Sequence, residues 1–287
     1  MKKKIERIVA ILSERDMGIV PGSLAYSLFL AIIPVLSILF YFLTTFHLPM
    51  DSFQSFVNNT FPESVAEFIQ PVFTTEITTS SFITLWLSVV VMANGCDSII
   101  RASNTIYGFD NSNFLRRIIK SLLIAIILIV LIAFMLIVPL FGRTIINIVG
   151  MFTTFVQNNQ NYIDTIYTIL QVPVSLFIMY FIIKLIYFIA PDEKISIKYV
   201  NKGALFTTFN WLIATILFSY YINNIARYDL VYGNLATIVV LLFYFYILAY
   251  VFVIGLFINR NNASKGIEKT NSIKFEEIRK KVKENNR

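Results

Sequence analysis

Six long apolar stretches divide this chain, and each has the length of a helix that crosses a bilayer. They are Ile19–Phe46, Ser80–Cys96, Ser121–Gly142, Thr165–Ala190, Gly203–Ala226 and Tyr232–Asn259. A hydrocarbon core is about 30 Å thick and a helix rises about 1.5 Å per residue. Lys184 is the only charged residue within the six stretches. The pattern predicts an all-α fold, a polytopic membrane bundle of six transmembrane helices.

The basic residues lie almost entirely on one side of this bundle. If each stretch crosses once, 22 of the 24 lysines and arginines share one face, and only Arg143 and Arg227 lie on the other. The positive-inside rule then places both termini in the cytoplasm. The net charge of +7 is concentrated next to the membrane, so we expect anionic lipid headgroups as partners and no nucleic acid.

The connections suggest one membrane domain and a tail. Residues 1–260 form the predicted six-span domain, which opens with an interfacial amphipathic helix carrying Ile5, Ile8, Val9 and Leu12. The first outer loop, residues 47–79, has an apolar helical stripe that predicts short interfacial helices. Residues 261–287 form a charged cytoplasmic tail with partial helical register. The single cysteine, Cys96, excludes an internal disulfide.

A polar stripe begins in the second stretch. Its members recur at i, i+3, i+7 and i+10 and therefore share one helix face: Asn94, Asp97, Arg101 and Asn104. Asp97 and Arg101 are spaced for an ion pair, which lowers the cost of a carboxylate inside the membrane. Two interpretations stay open, since the stripe either lines a substrate pathway or anchors the helix at the inner interface.

Three more residues inside the stretches are candidates for the pathway. Asn210 lies on a small and polar face of the fifth stretch and needs a hydrogen-bond partner, as interhelical contact or as cavity lining. Pro34 and Pro173 interrupt the first and fourth stretches, and broken helices can mark transport sites, although many prolines only kink a helix. Lys184 is expected to extend its amine to the inner surface.

The last two stretches carry an ordered set of residues that resembles a known family. The set is Gly203-Ala204-Leu205, Trp211, Phe218, Tyr220-Tyr221, Tyr228, Tyr232-Gly233-Asn234-Leu235-Ala236, Tyr244, Tyr246, Gly255 and Asn259. Matching residues elsewhere are Ala25-Tyr26-Ser27, Pro34, Leu85-Trp86, Asn104, Tyr107, Tyr187 and Pro191. Together they resemble the YihY/BrkB family of bacterial inner-membrane proteins, over about residues 20 to 260. The family's usual Gly-x-Glu-x-Asn ending is here Gly255-Leu256-Phe257-Ile258-Asn259, without the carboxylate.

The resemblance implies a six-helix protein of the bacterial cytoplasmic membrane. Relatives have carried the name ribonuclease BN, but metal-dependent RNA hydrolysis needs clustered histidines and carboxylates. The only histidine, His47, is predicted outside. We therefore expect no enzyme activity, no metal and no cofactor.

Two functions remain. The first is transport or translocation of an amphipathic or anionic, lipid-like substrate, because ionisable relay groups are absent from the middle of most stretches. The second is a membrane scaffold or envelope-assembly factor that binds a partner protein through its outer loop or basic tail. A homo-oligomer is compatible with either function.

Overall fold

The computed structural model describes residues 16–45, 58, 81–130, 160–224 and 236–285, and the regular structure in these ranges is helical throughout. The helices are α1 (Asp16–Thr45), α2 (Ser81–Tyr107), α3 (114–130), α4 (Gln160–Ile189), α5 (Asn201–Asn224) and α6 (Ala236–Asn285). The all-α prediction is confirmed for this part of the chain. Two described stretches, Asn201–Ile222 and Ile238–Ser264, have the length and hydropathy of membrane spans. Shorter apolar stretches occur at Asp16–Ile32 and Pro173–Ile189.

Several predicted elements lie outside the described residues. They are the amphipathic helix within residues 1–15, the helices of the first outer loop apart from residue 58, and the outer half of the third apolar stretch.

The prolines do not end their helices. α1 continues through Pro21 and Pro34, and α4 continues through Pro173. Pro34 is buried, whereas Pro173 is exposed. Neither position divides a helix into two halves.

The core forms where α1, α2, α4, α5 and α6 meet, and the buried Ile124 and Ala125 of α3 belong to it. α1 lies against α2, α6 lies against α1, α2 and α5, and α4 lies against α5. Among the fully buried side chains are Leu24 of α1, Ile100 of α2, Tyr187 of α4 and Phe257 of α6. Gly95 allows α1 and α2 to approach closely, because a Cβ at this position would collide with the Cβ of Ala31.

Small residues also let α5 and α6 meet closely. A Cβ on Gly203 would collide with the carbonyl of Gly255, and a Cβ on Gly255 would collide with the hydroxyls of Tyr187 and Thr207. The Gly203 N–H donates to Asn259 Oδ1 at 2.8 Å, near the start of α5. We call this close contact between α5 and α6, around Gly203 and Gly255, the seam.

Hydrogen bonds extend the seam along both helices. Tyr187 of α4 donates to the Phe252 carbonyl at 2.8 Å and lies 2.6 Å from Thr207 Oγ1. Trp211 Nε1 donates to the Leu248 carbonyl at 2.9 Å. α4, α5 and α6 are thus joined by several buried polar contacts.

α2 ends in a glycine cap. Gly108 adopts a φ of 74°, its N–H donates to the Thr105 carbonyl, and the Phe109 N–H donates to the Asn104 carbonyl. This pair of bonds is the Schellman motif, which needs a left-handed residue and so favours glycine. Arg260 of α6 donates to the carbonyl of Ile106 at 3.2 Å. The end of α2 is therefore tied to α6.

α6 is one continuous helix of 50 residues. It crosses the predicted boundary between the membrane domain and the tail at residue 260 without a break.

Candidate functional site

Asp97 binds two arginines from different helices. Its Oδ2 accepts from Arg101 Nε at 2.7 Å, one turn further along α2, and its Oδ1 accepts from Arg117 Nε of α3 at 2.9 Å. The Asp97 side chain is 16% exposed and that of Arg117 is 15% exposed, whereas that of Arg101 is 56% exposed. The Asp97–Arg101–Arg117 cluster thus joins α2 to α3 and presents one arginine at the surface.

This cluster carries excess positive charge and unused donors. Two guanidinium groups and one carboxylate give it a net charge of +1. Each guanidinium has four Nη–H donors besides Nε–H. Both ion pairs use Nε, and the Nη groups make no hydrogen bond to another described residue. They are suited to an anion such as a phosphate or carboxylate.

Two cavities flank α2 at this cluster, and Asn94, Asp97 and Arg101 line both of them. The first, between α1 and α2, has a volume of about 370 Å³ and is rich in hydroxyl groups from Ser23, Ser27, Ser98 and Thr105. The second, between α2 and α3, has a volume of about 320 Å³ and a mainly apolar lining that includes Val89, Val90, Phe114, Ile118 and Leu122. Arg101 therefore lies between a hydroxyl-rich cavity and a mainly apolar one.

Asn104 belongs to a different, buried network. Its Nδ2 donates to Asp192 Oδ2 at 2.7 Å and to Asn111 Oδ1 at 3.0 Å. Its Oδ1 accepts from the Asp192 N–H at 2.9 Å. Asn104 is fully buried, so it links the last turn of α2 to the segment after α4.

Lys120 completes this Asn104–Asp192–Lys120 network. Its ammonium donates to Asp192 Oδ1 at 2.8 Å, to the Pro191 carbonyl at 2.8 Å and to the Ala190 carbonyl at 3.0 Å. These contacts use all three of its N–H donors. Lys120 is one of the 22 basic residues predicted on the cytoplasmic face, and in the structure its ammonium closes the end of α4.

The Asp192 carboxylate is strongly stabilised in its charged form. Its side chain is only 5% exposed, and Oδ2 also accepts from the Ser112 N–H at 2.9 Å. Burial alone raises the pKa of Asp192, but the hydrogen bonds from Lys120, Ser112 and Asn104 outweigh it and hold the pKa well below its ordinary value.

The structure thus separates the predicted pathway residues. Asn94, Asp97 and Arg101 lie together at the two cavities, whereas Asn104 is held in the buried network. Asn210 donates to the Phe206 carbonyl of its own helix at 2.7 Å and lines neither cavity. Pro34 and Pro173 also lie away from both cavities.

Sequence reasoning missed Arg117, Asp192 and the α1 serines. Arg117 is 20 residues from Asp97, and Asp192 is 88 residues from Asn104, so no local spacing connects either pair. One sequence feature connects the two residues: Arg117 and Asp192 both flank apolar stretches on the predicted cytoplasmic side, where their side chains could meet those of α2. In the described ranges, no group of three or more His, Cys, Asp or Glu residues is placed to hold a metal ion.

Comparisons with known proteins identify relatives along most of the chain. The family model described as Virulence factor BrkB matches residues 9–275. A ribonuclease-like protein of Bacillus subtilis (strain 168), YfkH, is 28% identical over 164 residues, which cover 57% of this chain and 58% of that protein. The chain therefore matches less than two thirds of the length of this relative.

Two further relatives are described as membrane proteins. The UPF0761 membrane protein NT05HA_1801 of Aggregatibacter aphrophilus (strain NJ8700) is 26% identical over 227 residues, 77% of this chain and 78% of that protein. A UPF0761 membrane protein of Histophilus somni (strain 2336) is 32% identical over 66 residues, 23% of each chain. No solved structure matches. The extent of the family match, supported by these relatives, shows that the chain belongs to the Virulence factor BrkB family of membrane proteins.

Proposed function

We propose that this protein crosses a bacterial cytoplasmic membrane six times and translocates an amphipathic, anionic, lipid-like substrate. The six apolar stretches and the one-sided distribution of 22 basic residues support the topology, with both termini in the cytoplasm. Two of these stretches are described helices with the dimensions of membrane spans. The end of α2 and the start of α3 then lie on the cytoplasmic side of the membrane.

The position of Arg101 is the observation that carries the substrate proposal. Asp97 holds this half-exposed arginine through Nε at the boundary between the two cavities. The Nη donors of Arg101 can bind an anionic headgroup in the hydroxyl-rich cavity. The adjacent apolar cavity suits hydrocarbon. The hydroxyl-rich cavity on one side of Arg101 suits the headgroup of a lipid, and the apolar cavity on the other side suits its acyl chains.

A reconstitution experiment tests this proposal. Purified protein is placed in liposomes that contain a fluorescent phosphatidylglycerol, and movement between leaflets is followed by chemical quenching of the outer leaflet. We expect Arg101→Met to slow this movement by about tenfold or more, since a hydrogen bond to a charged group is worth about 1.5–3 kcal/mol.

Arg116→Met is the matched control. Arg116 is an exposed residue of α3 that lines neither cavity, and the substitution removes the same charge. The proposal fails if the unaltered protein moves no labelled lipid, or if the two variants behave alike.

The continuous α6 favours a second candidate, a membrane scaffold. Helix continues for 26 residues beyond Asn259, to Asn285, which is a length of about 39 Å. Such a helix, basic in composition, can hold a partner protein. On this view, deleting residues 261–287 abolishes function in cells while Asp97→Ala is tolerated. The transport proposal expects the opposite pattern.

We do not extend the ribonuclease-like name of the Bacillus relative to this protein, and we expect no RNA hydrolysis. The sequence contains a single histidine, and phosphodiester hydrolysis by a metal requires several ligands held together. Incubation of the purified protein with labelled RNA and Mg²⁺ or Zn²⁺ is expected to leave the RNA intact.

A further inference from the structure

Lys184 lies on an exposed apolar face of α4. Phe177, Phe181 and Phe188 are exposed, and Lys184 is separated from them by seven, three and four residues. These spacings place all four residues on one side of a helix. In a membrane protein, an exposed aromatic stripe of this kind faces acyl chains, so the Lys184 ammonium lies on a helix face that is suited to contact lipid.

The ammonium group is directed toward the preceding turn of α4. Lys184 Nζ is 5.9 Å from the ring centroid of Tyr180 and 5.7 Å from that of Phe181. Both rings precede Lys184 in the chain, as the usual tilt of helical side chains would favour. The amine therefore lies beside the two rings of the preceding turn.

The surroundings of Lys184 supply further polar atoms but little negative charge. Tyr180 donates from its hydroxyl to Asn201 Oδ1 at 3.5 Å, which places the first residue of α5 beside the same ring. Across the ranges that the structure covers, no carboxylate lies within ion-pair distance of Lys184. A cation on an apolar, membrane-facing surface is costly without an anion.

We propose that Lys184, Tyr180 and Phe181 form a binding site for an anionic phospholipid of the surrounding membrane. The lipid phosphate pairs with the Lys184 ammonium, and an acyl chain lies along Phe177 and Phe181. A free phosphate ion would gain nothing from the phenylalanine stripe, so the geometry favours a lipid. The site lies on α4 and shares no residue with the cavities at Asp97. It depends on the membrane location of the protein and not on transport.

Native mass spectrometry of the full-length protein in detergent tests this site. The protein is titrated with phosphatidylglycerol and phosphatidylcholine that carry identical acyl chains. We expect the unaltered protein to retain more phosphatidylglycerol. Lys184→Met should lower this preference by roughly fivefold, the contribution of one lysine against anionic headgroups, and Lys184→Arg should retain it.

Lys198→Met is the matched control, because Lys198 is exposed in the connection between α4 and α5 and the same charge is removed. Equal preference in the Lys184→Met and Lys198→Met variants would overturn the proposal. If Lys184→Met does not fold, the unaltered protein is labelled with a phosphatidylglycerol carrying a photoreactive headgroup. Labelling within residues 177–188 supports the site, and labelling confined to other peptides contradicts it.

Discussion

Two aspartates of this protein, Asp97 and Asp192, each pair with a cation of α3, yet their surroundings differ. Asp192 accepts hydrogen bonds from Lys120, Asn104 and the Ser112 backbone N–H. The other two N–H groups of the Lys120 ammonium donate to two backbone carbonyls. Asp97 accepts from Arg101 and Arg117, whose Nη groups make no bond to another described residue. Every N–H of the Lys120 ammonium and of the Asn104 side-chain amide has an acceptor, and a network matched in this way contributes to the fold. A cluster with donors left over next to two cavities is suited to binding.

The buried Asn104–Asp192–Lys120 network predicts the largest effect on stability. Lys120→Met leaves the nearly buried Asp192 carboxylate without its cation, and breaking one partner of a buried pair costs about 3–5 kcal/mol. Thermal unfolding in detergent should show a large fall in the melting temperature. Arg116→Met, an exposed change on the same helix, should alter the unfolding free energy by less than about 0.5 kcal/mol. If Lys120→Met and Arg116→Met lowered the melting temperature equally, the Asp192 network would not be more important for stability than an exposed charge.

The dependence of stability on pH sharpens the comparison. The pKa of Asp192 lies below its ordinary value in the folded protein, so its stabilisation is present above the unfolded-state pKa and is lost as the pH falls through the folded-state pKa. Between about pH 7 and pH 5 stability should change little from this source, and below about pH 4 it should fall.

Asp192→Asn provides the reference for that measurement. The difference in melting temperature between the unaltered protein and this variant should be greatest near neutral pH and should shrink in acid. A difference that grows as the pH is lowered would contradict the assigned direction of the pKa shift.

The cluster at Asp97 predicts the smallest effect on stability. Asp97→Asn removes the charge that Arg101 and Arg117 share, but Asp97 is more exposed than Asp192, so we expect a smaller loss than that of Lys120→Met, about 2 kcal/mol in unfolding free energy. Asp110→Asn, at an exposed position of the turn after α2, serves as the control for surface charge. A loss as large as that of Lys120→Met would show that Asp97 is primarily structural.

Much of the helical framework could be predicted from apolar periodicity. The stretch Gly203–Ala226 corresponds to α5 at Asn201–Asn224, and Thr165–Ala190 corresponds to α4 at Gln160–Ile189. The Asp97–Arg101 pair also follows from its spacing, because residues four apart on a helix are neighbours. Local sequence is sufficient for both because both depend on contacts within one helix.

The rest of the site depends on contacts between helices. Asn104 shares a helix with Asn94, but ten residues at 100° each rotate it by about 80° from that position, toward the segment after α4 that carries Asp192. Asn210 donates its amide to a carbonyl of its own helix, an option that short polar side chains such as serine and asparagine have in a helix. Neither outcome could be read from spacing, since each depends on which helix lies next to the residue.

The seam between α5 and α6 limits where this protein can change shape. Gly203 and Gly255 bring the two backbones so close that sliding by one residue would drive a side chain into the opposite helix. Tyr187 and Trp211 further bind α4 and α5 to the carbonyls of α6. We therefore expect these three helices to move together. If the protein translocates a lipid as proposed, we expect the cavities beside Arg101 to open by displacement of α1, α2 or α3, the helices that line them.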